Sequence, residues 1–298
     1  MESSHHHRIR MAIFDWLSIQ VNLHGDVLDW QLLSYAFRYE DQRIPLLGPQ
    51  GIWKPAIIEK YPLSITTVPE SIYQDRFSEE NTLHYHYRGT APNHRDNVGL
   101  RKAMKDRIPL IYFHRVIKGK YLVHWPVYVT GEDQRNKMFI VQADSITIPG
   151  IDYISDSAED EGRRRYITTE VIQRLHQRTF REKVLLAYRE HCAICSLRHR
   201  ELLDAAHIIP DKEGGEPVVQ NGLSLCKLHH AAFDQNIIGI NPDYFVEVRE
   251  DILKEINGPM LKFGLQKLHF QKILLPGPLK RPNKDWLERR YEKFRRAG

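Results

Sequence analysis

Two pairs of metal-seeking side chains, Cys192-x-x-Cys195 and Cys226-x-x-His229, stand about thirty residues apart. Each short turn sets two ligands on one edge of a tetrahedron, and Cys3His sets commonly hold Zn2+. Together they use all three cysteines of the chain. The pattern predicts one structural zinc, with thiols that carry no metal as the other reading. A redox C-x-x-C would need a thioredoxin-like βαβ context, which the flanking sequence lacks. A second set is interleaved with the first. His207 ends a strand-like run, Asn221 precedes another over residues 222–226, and His230 opens a helical stretch with Asp234 one turn on. Residues i and i+4 of a helix share a face, so His230 and Asp234 can bind one cation together. An imidazole near its ordinary pKa can take a proton from water at neutral pH.

The ordered segments A-A-H-I-I-P (205–210), N-G-L-S-L-C-K-L-H-H (221–230) and F-D (233–234) resemble the HNH endonuclease family in its restriction endonuclease branch, over roughly residues 165–245. The resemblance implies a ββα-metal fold. In it His207 is the general base, Asn221 holds the loop and the base in position, and His230 with Asp234 ligates one catalytic divalent cation, Mg2+ or Mn2+. That ion would stabilise charge on the phosphate and on the leaving 3′ oxygen, giving 5′-phosphate and 3′-hydroxyl ends. One departure from the family stands out. The residue before the base is often a metal-binding Asp or His, and here it is Ala206. Asp204 lies on the same side of a strand as position 206, so it is expected to substitute, directly or through water. Singly, His207 reads equally as a core histidine, Asn221 as a turn residue and Asp234 as a salt-bridge partner. The catalytic reading rests on their joint order beside the Cys3His set.

These residues need elements to position them. Residues 171–188 carry Val171, Ile172, Leu175, Val184, Leu185 and Tyr188 at helical spacing after Thr168-Thr169, which predicts a capped helix leading into the first cysteine pair. Residues 284–296 predict a basic terminal helix with Trp286, Leu287, Tyr291 and Phe294. Upstream, Ile13, Phe14, Leu17 and Val21, then Leu28, Leu32, Leu33 and Phe37, predict one or two helices before residue 40. Strand-like runs follow at 52–58, 63–68, 83–87, 110–117, 121–129 and 138–142, with a hairpin turn at Lys118-Gly119 and a short helix from Asn97. The expected architecture is therefore α+β: a mainly antiparallel recognition domain over residues 1–150, an acidic-to-basic linker over 151–165, and a nuclease domain over 166–298.

With 298 residues, 42% of them hydrophobic and 27% charged, the chain is neither disordered nor collagen-like and has the length of about two domains. An odd count of three cysteines argues against a secreted disulfide framework. No apolar run approaches the ~18 to 20 residues of a membrane span, and the first residues lack a signal-peptide core, so a soluble, cytoplasmic protein is expected. The net charge of +5 conceals larger local charges. Residues 151–162 hold five acids and no base, whereas residues 163–191 and residues 276–298 each hold eight bases and three acids. Such clustering suits a polyanionic partner, although charged helix faces are also often just solvated.

Segments at 48–55 (GPQGIWKP), 85–89 (YHYRG) and 97–101 (NVGLR) look like those in amino-terminal domains of proteins catalogued as HNH restriction endonucleases. By analogy with restriction enzymes that carry PUA-like or SRA-like readers, this domain is expected to sense modified DNA bases. Trp53, Tyr85, Tyr87, Tyr112, Tyr121 and Trp125 would stack on an extruded base while Arg88, Arg95, Arg101 and Arg115, with Arg163, Arg164 and Arg165, hold phosphates; the other reading is that aromatic residues in strands are mostly core. The partner is double-stranded DNA. A homodimer would follow if both strands are cut, because one HNH site cuts one strand at a time. Two other functional readings fit the same residues: a zinc-stabilised DNA-binding module without catalysis, which Ala206 favours, and a homing or repair-type nuclease.

Overall fold

The computed structural model describes residues 4–69, 76–77, 83–144, 158–256 and 258–297. Its chain divides into two compact units, Met1–Arg178 and Thr179–Gly298. The expected acidic linker lies largely outside the described residues. The division falls inside a helix, thirteen residues past the anticipated start of the second domain at 166, because Val171 and Leu175 pack into the cores of the first unit.

The first unit begins with α1 (Ser4–His24), β1 (Val27–Asp29), α2 (Trp30–Tyr35), and the strand pair β2 (Arg38–Tyr39) and β3 (Gln42–Arg43). Next come β4 (Ile52–Trp53), β5 (Ser64–Thr67), β6 (Arg76–Phe77), β7 (Leu83–His86), α3 (Arg95–Lys105), β8 (Leu110–Ile117), β9 (Lys120–Asp133) and β10 (Met138–Ala143). One eight-stranded sheet runs β4-β5-β8-β9-β10-β7-β6, with β1 also paired to β9. All its pairings are antiparallel except β5 with β8.

Burial on both faces explains why β8 opens on the apolar run Leu110-Ile111-Tyr112-Phe113. Leu110 and Tyr112 join the core that holds Leu100 and Ala103 of α3, while Ile111 and Phe113 join Ile9, Ile13 and Leu17 of α1. The sheet is thus covered by a helix on each face. The expected strand over 52–58 stops at Trp53, since Pro55 has no N–H to give a ladder.

The second unit is smaller in content. Helix α4 (Ala158–Ala187) crosses into it, followed by β11 (Leu203–His207), β12 (Gly222–Cys226), α5 (Lys227–Asp234), β13 (Ile238–Ile240), β14 (Val246–Val248), α6 (Glu250–Lys254), α7 (Pro259–Gly264) and α8 (Lys284–Arg296). Thr168 does not cap α4 as anticipated. It lies within the helix, donating from its hydroxyl to the Arg164 carbonyl and accepting the Ala143 N–H at 3.0 Å. The two hairpins pack on Phe180, Val184 and Leu185 of α4 and on Tyr188 just past its end to form one core. Among the described residues no helix is long and apolar enough to cross a membrane.

Candidate active site and metal centre

Strands β11 and β12 pair antiparallel, with Leu203 opposite Cys226 and His207 opposite Gly222. Helix α5 follows β12 directly, giving a ββα unit. The helix buries His229, Ala232 and Phe233 at spacings of three and four. The adjoining stripe, His230 and Asp234, consequently stays accessible. Two neighbouring histidines thereby serve two different environments.

His229 faces inward to the cysteines. Its Nδ1 lies 3.4 Å from Cys192 Sγ and 3.2 Å from Cys226 Sγ, and Cys195 Sγ is 3.9 Å from Cys226 Sγ. All four ligand atoms lie within 4.8 Å of one another. Tetrahedral zinc with sulfur at ~2.3 Å would space two sulfurs roughly 3.8 Å apart, so the donor set fits that ion. Hydrogen bonds among the sulfurs hold the Cys192 thiol well below its ordinary pKa and push that of Cys195 well above. Ligation of zinc would ionise all three thiols, and the cation would then offset their mutual repulsion. His229 Nε2 donates to the Gly264 carbonyl at 2.8 Å, fixing Nδ1 as the ligating nitrogen. Backbone bonds from Ala193 N–H to Ser224 O and from Leu274 N–H to Ala193 O tie the knuckle to its surroundings.

His230 faces an open cavity of about 490 Å3 shared with His207, Asp211, Asp234 and Arg290. His230 Nε2 lies 3.4 Å from Asp234 Oδ2, while Nδ1 lies 3.4 Å from Asp204 Oδ2 on the other edge of the ring. Asp204 is not part of the cavity wall. Its carboxylate accepts from Lys227 Nζ at 2.6 and 2.8 Å. Burial opposes its charge, but Lys227 and His230 outweigh that and hold the carboxyl below the usual range. The position expected to replace the ligand missing at Ala206 therefore grips the back of His230. Ala206 itself is fully buried in the core.

The His207 ring stacks on Phe180 of α4, with centroids 3.9 Å apart and planes 11° apart. Its Nε2 is buried without a hydrogen bond; Asp211 Oδ1, at 3.3 Å, lies off the line of one. Burial pushes the imidazole pKa below its ordinary value, partly offset by Asp211 and Asp234. The neutral form therefore prevails at pH 7. Asn221 is fully buried and fully used: Oδ1 accepts the Ile209 N–H, and Nδ2 donates to the carbonyls of Ile209 and Glu216, each at 2.9 Å. This clamp requires Gly215, where a Cβ would come within 1.8 Å of Ile209 O and 2.8 Å of Asn221 Nδ2. Gly222 is similarly confined by Val184 and Phe180. Phe180 and Gly215 were not among the expected site residues; Phe180 reads in sequence as one more apolar position of a helix.

The first unit rearranges the expected nucleic-acid contacts. Tyr85 and Tyr87 are core residues, because strand alternation turns them with Leu83 toward the α3 side of the sheet, which leaves no ring face for a base. Trp53 lies beneath Gly48 and donates to the Pro45 carbonyl at 2.8 Å. Arg88 pairs with Asp96 and Gln50, and Arg101 with Glu132, which also accepts from the Tyr87 hydroxyl. Arg163 and Arg164 both engage Asp144, and Arg165 is exposed on α4. Tyr121 and Arg115, both among the expected contacts, line a cavity of about 400 Å3 with Trp30, Thr66 and the loop 48–51, whereas Tyr112 and Trp125 are buried in the cores. Trp30 is 41% exposed, and Thr66 Oγ1 is buried without a hydrogen-bond partner. Gly51 permits the close loop approach, since a Cβ there would meet the Tyr85 hydroxyl at 2.5 Å.

A ββα unit whose helix serves a Cys3His cluster on one side and a histidine-carboxylate cavity on the other describes a nuclease of the metal-dependent kind. Residues 192–241 match the family model described as HNH endonuclease, and the chain carries an HNH endonuclease domain there. Among solved structures, the chain is similar to a modification-dependent TagI restriction endonuclease, at 14% identity over 78% of this chain and 82% of that one, with a TM-score of 0.29. It is also similar to the type IV phosphorothioation-dependent restriction endonuclease ScoMcrA, at 13% identity over 57% of this chain and 45% of that one, with a TM-score of 0.21. No curated protein matches the sequence.

Proposed function

We propose that the protein is a restriction-type DNA endonuclease that hydrolyses phosphodiester bonds with one catalytic divalent cation. The observation that carries this reading is the convergence of a neutral, orphaned His207 Nε2 with the His230–Asp234 pair on one open cavity. His230 and Asp234 offer two protein ligands, which leaves coordination positions for water and phosphate oxygens, as Mg2+ and Mn2+ sites commonly require. When bound, that cation supplies Lewis-acid stabilisation of the phosphate and of the leaving oxygen.

The residues of the chain do the rest. His207 Nε2 takes the proton from the attacking water, helped by a pKa that keeps the ring unprotonated at neutral pH. Phe180 fixes the plane of that ring, and Asn221 fixes the 209–216 loop beside it. Asp204 holds His230 Nδ1, so that Nε2 is presented to the cavity with Asp234. The Cys3His cluster holds a structural zinc that locks α5 against the knuckle.

In this reading the first unit selects double-stranded DNA by a modified base. Support comes from the aromatic-walled cavity of Trp30 and Tyr121, with Arg115 and an unpartnered Thr66 hydroxyl to meet a polar edge. The test is nicking of supercoiled plasmid, unmodified and base-modified, across a Mg2+ and Mn2+ titration. Wild-type protein nicks only with metal and prefers the modified plasmid. His207→Ala retains the fold and DNA binding but cuts about 10^2- to 10^4-fold more slowly. Normal cutting by this variant removes His207 from the mechanism, and equal cutting of both plasmids removes the selection by modification.

A further inference from the structure

The cavity that holds His207, His230 and Asp234 is completed by residues well beyond the nuclease motif. Arg290 and Lys293, one turn apart on α8, form part of its wall together with Lys212, Asp211 and Glu213. The helix is firmly seated. Asn283 caps it by accepting the N–H groups of Asp285 and Trp286, Leu287 is fully buried, and Phe294 packs where Gly239 leaves room. The Asn283 N–H also donates to the Gln220 carbonyl, next to the Asn221 clamp.

The three cations of the wall are not equivalent. Lys293 is matched by Glu213, which Arg289 also approaches at 3.8 Å, and Lys212 stands in solvent. Arg290 is half-buried, and among the described residues no carboxylate lies within ion-pair distance of it. It is instead anchored by neutral groups: Nη1 donates to Asn236 Oδ1 at 2.6 Å, Nη2 donates to the Phe233 carbonyl at 2.5 Å, and the guanidinium lies 4.7 Å from the Phe233 ring centre. A guanidinium has five N–H donors, so donors remain for the cavity. Asp234 and Glu213 attract it only from beyond ion-pair distance, and a half-desolvated charge paired at that range is further stabilised when an anion arrives to meet it.

The wall also holds the carboxylates Asp211, Glu213 and Asp234. These repel a phosphodiester, so a fixed cation is needed to admit one. We infer that Arg290 is a phosphate-binding residue of the nuclease cavity, gripping a non-bridging oxygen of the DNA strand that lies against His230 and Asp234. The inference rests on the nuclease reading above and adds α8 to the substrate-binding machinery. An arginine suits the task because its planar fork keeps its neutral anchors while it presents donors to phosphate.

The experiment measures duplex DNA binding in Ca2+ buffer over a range of NaCl for the full-length wild type, Arg290→Gln and Arg290→Lys, with plasmid nicking in Mg2+ alongside. Both substitutions keep a donor for the Phe233 carbonyl, and only the second keeps the charge. Loss of one phosphate contact lowers the slope of log K against log salt by about 1. Arg290→Gln is expected to bind roughly 10- to 100-fold more weakly with that lower slope, and Arg290→Lys to recover the slope. A wild-type slope in Arg290→Gln overturns the inference, whatever happens to its melting temperature, because a purely supporting role leaves the slope unchanged. If the wild type nicks nothing yet the slope falls in Arg290→Gln, the nuclease reading fails and the phosphate contact stands. Wild-type protein that binds no duplex overturns both.

Discussion

His229 and His230 are joined by one peptide bond and share one helix, yet they serve opposite kinds of site. The first is 2% exposed, bonded through Nε2 to a backbone carbonyl and surrounded by three sulfurs. The second opens on a cavity, is backed by a carboxylate and has one carboxylate neighbour at its free edge. A complete set of four soft or borderline ligands makes a closed, structural centre, whereas a set with vacant positions leaves room for a reacting molecule. The ββα unit sets the two side-chain groups on adjacent stripes of α5, so under the proposed function the closed centre would fix the pose of the open one.

The largest expected effect separates the two histidines directly. His229→Ala should lose the zinc, lower the thermal midpoint by more than about 10 °C and abolish cutting as a consequence of unfolding. His230→Ala should keep the midpoint within a few degrees and the zinc at one per chain while cleavage falls by about 10^2-fold or more. Metal analysis and calorimetry on the two variants decide it. If they behave alike, the division into closed and open centres is wrong.

A smaller effect is expected behind the open centre. Asp204→Asn should cost about 10- to 100-fold in cleavage or in activating-metal affinity, as loss of an outer carboxylate partner commonly does. The zinc content should not change. If Asp204 were instead a direct ligand, the loss would match that of His230→Ala in a metal titration.

The smallest effect is one of pH. Burial places the His207 pKa below its ordinary 6.5, so the base is already free at pH 7 and kcat/KM should be flat from there upward. Activity should decline only as the pH falls below about 6.5. The same shift bears on stability with a worked sign. Below pH 6.5 the unfolded chain binds a proton at this residue more readily than the folded one, so the contribution of His207 to stability is complete above that pH and is lost on acidification. A limb of the rate profile centred at pH 7.5 would falsify the assignment of His207 as the titrating base.

The residues that converge at the Cys3His cluster and at the His207 cavity were legible in sequence because they lie in two short segments with fixed spacing, and spacing on a strand or helix translates directly into shared faces. The supports were less so. Asn221 is recognisable by its place in the motif, but its clamp depends on Gly215, whose need appears only once a loop carbonyl lies against it. Phe180 and Arg290 come from helices 27 residues before and 83 residues after His207, and nothing local marks either as a site residue. In the first unit, strand composition signalled aromatic residues correctly but not which face they take. Tyr85 and Tyr87 went to the core, whereas Trp30, next to a three-residue strand, reached the cavity.

The Ala193 backbone, which donates to Ser224 and accepts from Leu274 beside the Cys3His cluster, also bears on how the second unit opens. With His229 bonded to Gly264, it ties segments around residues 193, 224, 264 and 274 to a single centre. In hydrogen-exchange experiments the amides of Ala193 and Leu274 should exchange as one cooperative group with the metal bound, and should lose protection together when a chelator removes it. The knuckle would then act as the latch of a folding unit whose sequence spans more than eighty residues.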